Sequence, residues 1–356
     1  MKLPATTSSE RADSYLSSRT YSTRHSFHFT LISASVRDLS QIPVLKPIIG
    51  PLANRFREVV SGSKDGRPDW VESIARGDDE GLFGPGSAVW KIHGNVATII
   101  GGIRALLLQA THPAPLNGVA SHSRYKSDPL GRLAGTTKWL TITTFAARTE
   151  IERESARVNA MHSKVSGTFM TKSGESAPYR ASDDRYLLWV HCAFTDSFLK
   201  SYLAVGEGIR PLDGDDSVLQ GRELADAYVK EWALSAMPLG LESAPKNLAE
   251  LEAVLDEFRG EELSRNERTK EVINFILKPP FSKGGLFFYS ILAKAAILTL
   301  DDRDRELLQL KRPSRINLYL SRFALTLLSA ILGHRSPSEK VARERIDRIR
   351  HSGQMR

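Results

Sequence analysis

Cysteine is nearly missing from this chain: Cys192 is alone among 356 residues. A lone thiol closes no internal disulfide and builds no thiolate cage for zinc or an iron–sulfur cluster. It also fits a reducing setting, so a cytoplasmic protein is expected. Long apolar runs are scarce too. The best one, Gly284 to Leu300 (GGLFFYSILAKAAILTL), is short for a span and carries Lys294 inside it. A spanning helix needs roughly 20 mainly apolar residues, so this stretch reads as a buried helix and no transmembrane span is expected. The opening stretch, MKLPATTSSERADSYLSSRTYSTRHSFHF, has no continuous apolar core of the kind a secretory signal carries. It reads as a disordered arm.

Several chemical signatures are missing as well. There is no Walker loop, no G-x-S-x-G elbow and no H-E-x-x-H pair. Gly81 to Ser87 (GLFGPGS) lacks the spacing and the strand–turn–helix setting of a dinucleotide site and reads as a turn. Basic residues outnumber acidic ones by 49 to 41, a formal charge of +8. Part of that excess crowds at the end, in Arg343, Arg345, Arg348, Arg350 and Arg356. No aromatic residue is interleaved there for base stacking, so the run reads as a solvated helix face and no nucleic-acid partner is expected.

What the chain does have is helical periodicity. Thr98 to Ala110 is apolar almost all round, as in a helix buried within a larger core. His112-Pro113 breaks the pattern. Helices are expected over Leu130–Ala147, behind Asp128-Pro129, and over Ile151–Val165. A loop or small hairpin fills 168–181, and a helix capped by Ser182 runs on to Val205. Further helices are expected at Arg222–Ser235, Asn247–Phe258, Glu271–Ile276, the Gly284 segment, Ile316–Leu332 and Lys340–Arg350. The fold class is all-α. Residues 1–60 form the arm, 61–335 one helical domain and 336–356 a basic tail.

Histidine carries the chemical signal. His93, His112, His122, His162 and His191 fall in the same stretch of helical body. His162 is in line with Val158 and Val165, and His191 with Leu187, Phe194 and Phe198. One histidine on an apolar stripe is commonly a hydrogen-bonded core residue. Two on adjacent helices place imidazole on a dry wall, which is what a haem iron needs. No Glu-x-x-His pair suggests a di-iron bundle. Arg132 and Thr136 lie four apart, on one helical face. Either the arginine covers the helix with its stem, or a cation and a hydroxyl face a cofactor; spacing leaves both open.

The blocks GLFGPGSAVWKIH, GGIRALLLQATHPAPLNGVASHS, DPLGRL with Thr136, ARVNAMHSKVSG and PYRASDDRYLLWVH together resemble the mpaB/rubber-oxygenase catalytic domain. The resemblance spans about residues 80–330. It implies a single globin-like, orthogonal helical bundle enclosing a haem b pocket, and oxidative chemistry with O2. By the same resemblance His162 is the proximal iron ligand, Arg132 and Thr136 line the pocket, and His191 is a pocket residue. His112 and His122, ahead of Arg132, would reach the distal side. Two departures stand out. Gly135 occupies the position of the distal lysine of latex-clearing members, and Thr111 to Ser127 holds no acid where those members carry a glutamate. The expected substrate is therefore small and apolar rather than polyisoprene, with O2 and an electron donor as partners. The alternative is a haem protein without turnover, a sensor or electron carrier whose iron is closed by two histidines.

Overall fold

Local signals start most of the helices. In the computed structural model, Ser87 Oγ accepts from Trp90 N at 3.1 Å and opens α2 (Ala88–His93). Asn247 caps α9 (Leu248–Glu261), and a reciprocal Asn266–Thr269 box opens α10 (Glu267–Leu277). The structure describes residues 68–122 and 129–354 and scattered positions between 42 and 63. For 119–122, 129–133, 353 and 354 it describes the backbone alone. The expected arm over 1–60 lies almost wholly outside the described residues, as does Asp128.

The remaining elements follow in chain order. They are α1 (Trp70–Ala75), α3 (Thr98–Gln109), α4 (Pro113–His122), α5 (Pro129–Phe145) and α6 (Arg148–His162) before a hairpin. In the hairpin, β1 (Ser166–Met170) pairs antiparallel with β2 (Ser176–Arg180), Ser166 opposite Arg180. Then come α7 (Asp184–Ser201), prolonged by a π turn at Tyr202–Gly206, and α8 (Gly221–Trp232), followed by 3-10 turns at Ala233–Ser235 and Met237–Leu239. After α9 and α10 the chain closes with α11 (Lys283–Thr299), α12 (Asp302–Leu307), α13 (Ile316–Leu332) and α14 (Pro337–Gln354). Apart from the hairpin, no strand occurs among the described residues, and the fold is all-α.

The centre is the crossing of α3 and α7, both packed against α11. It is close because Gly101 has no side chain: a Cβ there would lie 2.5 Å from Phe198 Cδ1. Around the crossing, Trp90, Trp189, Trp232, Phe258 and Leu107 belong to one continuous buried cluster.

Three features differ from the sequence expectation. α10 begins four residues early, because the polar Asn266–Thr269 box starts it before the apolar period does. α6 spans 148–162 rather than 151–165, since Val165 already accepts from Ala181 N at 2.9 Å to lead into the hairpin. Of the expected 336–356 tail, Pro337–Gln354 is a packed helix rather than a solvated one. Its Arg345 is fully buried and donates to the carbonyls of Ile74 and Phe145. Glu339, also fully buried, accepts from Arg210 at 2.8 Å, and Arg350 reaches Glu80 and Asp215. These arginines are used on carbonyls and carboxylates of the body.

Candidate functional site

α5 and α6 are joined by Ala146 and Ala147 alone, so they run back along one another. The Lys138–Glu154 contact at 3.4 Å fixes their antiparallel register. His162 is two turns beyond Glu154, at the far end of α6 from the α5–α6 turn. Arg132 lies in the first turn of α5, where the backbone alone is described. Positions 132, 136, 139 and 143 recur at helical spacing and share one face of α5. On that face Trp139 Nε1 and Thr143 Oγ1 are buried and make no hydrogen bond.

α5 is unusual in a second way. Every residue from Ala134 to Thr141 is partly exposed. A helix laid on a filled core shows a buried stripe and an exposed stripe; here the inward side keeps accessible surface as well. Among the described residues, setting aside its chain neighbours and the backbone of α5 itself, no atom lies within 4 Å of a Cβ built on Gly135.

His162 closes α6 with Nδ1 buried and unpartnered, and burial holds its pKa below the ordinary imidazole value. Asn159, one turn earlier, donates to the Pro238 carbonyl at 3.1 Å. This pins the His162 end of α6 to the 3-10 turns that follow Trp232. His191 on α7 is 8% exposed, and its Nε2 has no partner. Burial pushes its pKa down to about 4, so the ring is neutral. It stacks on Trp232 at 6.5 Å between centroids, 10° from parallel.

Trp232 is the hub. Fully buried, with Nε1 unpartnered, it also touches Phe83 at 5.9 Å, His93 at 4.4 Å and Trp139 at 5.9 Å. It thus joins α2, α5, α7 and α8. Both nitrogens of His93 are engaged, Nδ1 with Thr144 Oγ1 and Nε2 with Tyr228 OH, each at 2.9 Å. Burial drives its pKa to about 3. The His93 ring also meets Phe198.

His112 sits elsewhere. It is fully buried, Nε2 lies 2.9 Å from Glu262 Oε2, and Nδ1 accepts from Ala114 N at 3.3 Å. Burial raises the Glu262 pKa, but hydrogen bonds from His112 and Arg185 outweigh it and hold the carboxyl below its usual range. His112 therefore ties the start of α4 to the end of α9. His122 is described by its backbone alone. Burial pushes the Cys192 thiol up, which leaves no nucleophile there.

The structure brings His191, His93 and Trp139 onto Trp232, while Thr136 and Thr143 share the Trp139 face of α5 and His162 closes α6. Trp139, Thr143 and His93 were readable only as core residues; the single available signal was the 132/136/139/143 spacing. Among the described residues no group of three His, Cys, Asp or Glu side chains converges to cage a bare metal ion. Iron already held by a porphyrin needs only one or two axial side chains. His162 and His191, two neutral imidazoles each with an unpartnered buried nitrogen, are of the kind that demand calls for.

No curated protein and no solved structure matches the chain. The profile of the family described as ER-bound oxygenase mpaB/B'/Rubber oxygenase, catalytic domain, matches residues 90–329. That interval holds α5, α6, α7, Trp232 and both unpartnered histidines. The chain belongs to the mpaB/rubber-oxygenase catalytic-domain family.

Proposed function

We propose that the protein is a haem b-dependent oxygenase acting with O2 on a small apolar substrate, and that His162 is the iron ligand. One observation carries the reading. Trp139 Nε1, Thr143 Oγ1, His162 Nδ1, His191 Nε2 and Trp232 Nε1 are all buried without a partner. Native folds pair nearly all buried polar atoms, and three of these, on Trp139, His191 and Trp232, belong to rings in contact, which supports a ligand being received beside Trp232.

Haem, when bound, supplies the oxygen chemistry; the protein supplies orientation, electrostatics and exclusion of water. Burial keeps the His162 imidazole neutral, so its lone pair would be available to hold the iron. His191 lies flat on Trp232 and gives the wall a polar edge. Arg132 and Thr136, a turn apart on α5, are the cation and hydroxyl of the site. A cation there favours developing negative charge, which a neutral donor does less well. Trp139 and Trp232 make the wall aromatic, which suits an apolar substrate. With both nitrogens engaged, His112 acts as a strut, which leaves His122 as the candidate histidine for the distal side. The single cysteine supports a cytoplasmic location as part of this proposal.

A second reading rests on the same pair of unpartnered histidines: if both bind iron, the protein is a closed electron carrier or sensor. Visible spectra of purified protein, oxidised and reduced, with and without carbon monoxide, decide between the two. The oxygenase is expected to show a Soret band, to release haem on acid extraction because the chain has no C-x-x-C-H site, and to bind carbon monoxide when reduced. A low-spin reduced spectrum that carbon monoxide leaves unchanged selects the carrier. Protein expressed with ample haem that has no Soret band overturns both.

A further inference from the structure

α13 is buried along one side and apolar along the opposite, exposed side. Its buried line, Ser321, Leu325 and Ser329, faces α11, where Ser321 Oγ donates to the Ile291 carbonyl at 3.0 Å. On the opposite side Ile316, Tyr319, Leu320, Phe323 and Leu327 stand in solvent, with Phe323 68% exposed. These positions follow the i, i+3, i+4, i+7, i+11 pattern of one helical face. On the adjoining α11, Phe287 is 71% exposed.

Charge at this surface has one sign. No Asp or Glu occurs between Glu271 and Asp301, or between Glu306 and Glu339. Lys283 and Lys294 share the outer side of α11 with Phe287, and Lys311, Arg312 and Arg315 lead into the first turn of α13. All five are exposed, and none pairs with a carboxylate among the described residues. No single described helix is long and apolar enough to cross a membrane. The bent pair Ile316–Leu332 and Pro337–Ser352 passes that test only together. Its second member holds Glu339 and Arg345 in buried polar contacts with the body.

We infer that the α11–α13 face docks on an anionic lipid surface, with the aromatic and aliphatic stripe entering the headgroup boundary and the cations meeting lipid phosphates and carboxylates. An apolar face rimmed by Lys and Arg is the composition of an element that lies in the interface. The absence of acids over both segments removes the repulsion that anionic headgroups would otherwise meet.

The test is flotation of the full chain with vesicles of phosphatidylcholine alone and of equimolar phosphatidylcholine and phosphatidylserine. The chain is expected to float with the mixed vesicles and weakly with the neutral ones. Lys311→Gln, Arg312→Gln and Arg315→Gln together are expected to weaken binding to mixed vesicles about a hundredfold, from roughly 1 kcal/mol per basic residue at 1.4 kcal/mol per decade. Phe287→Ser with Phe323→Ser lowers binding to both. Thermal melts matching the parent show that the variants are folded, since the altered side chains are exposed. Failure of the parent chain to float, or unchanged flotation of the Ser variant, overturns the inference. A concentration-dependent dimer that the Ser variant dissociates, with no vesicle capture, also overturns it and gives the face to a second copy.

Discussion

At the residue scale, His162 and His191 make different predictions. Alanine at 162 removes a partly exposed ring whose buried Nδ1 bonds to nothing in the protein, so the fold should survive while haem retention falls roughly tenfold or more. Alanine at 191 removes a ring packed on Trp232, so haem should be held in part with a shifted spectrum. Soret absorbance per mole of protein checks both, and equal retention in the two variants would assign the wrong ligand. Both histidines were legible because each shares an apolar stripe with its helix neighbours. His112 shows where such reading stops. Its surroundings in sequence are just as apolar, yet Glu262, 150 residues on, takes its Nε2. No local spacing reveals that partner. Trp232 was missed for the converse reason: a tryptophan at the end of an amphipathic helix reads as core, and only the assembled fold shows four elements meeting on it.

At the element scale, the α3–α7 crossing gives a paired test from neighbouring glycines. At Gly101 a Cβ would meet Phe198 Cδ1 at 2.5 Å and the Phe198 Cα at 3.2 Å; at Gly102 it would meet nothing within 4 Å. Gly101→Ala should destabilise by about 1–3 kcal/mol through overpacking. Gly102→Ala should instead stabilise by about 1 kcal/mol through helix propensity. Urea denaturation of the two variants beside the parent checks both signs. Elements were legible in proportion to their apolar period. α13 occupies the expected Ile316–Leu332, and α3 differs from expectation by one residue at its end. α1 and α12 were missed because six residues are too few for a period to show. The start of α10 was missed because a polar box, not an apolar stripe, opens it.

At the scale of the whole molecule, the buried histidines set an acid limit. His93 and His191 titrate in the fold at about 3 and about 4, against 6.5 for a free imidazole, because burial disfavours their charged forms. The unfolded chain therefore binds protons first as pH falls. The stability these rings contribute is complete above about pH 6.5 and is lost toward about pH 4. Glu150 and Glu262, held below the usual carboxylate range by arginine and histidine partners despite burial, add a further loss at lower pH. Thermal melts of the haem-free protein stepped down through that window should show a falling midpoint. His93→Gln should flatten the upper part of the fall.

Arg345 joins α14 to the carbonyl of Ile74, 271 residues earlier, and to that of Phe145 at the end of α5. On the ribosome α1 and the α5–α6 turn thus emerge long before the residue that clamps them both. Pairing over such a distance is slow and comes late in folding. Through most of synthesis the α5–α6 turn therefore lacks the arginine that ties it to α1 and α14. The joint between the two ends of the described fold is thus made last, by where one arginine stands in the chain.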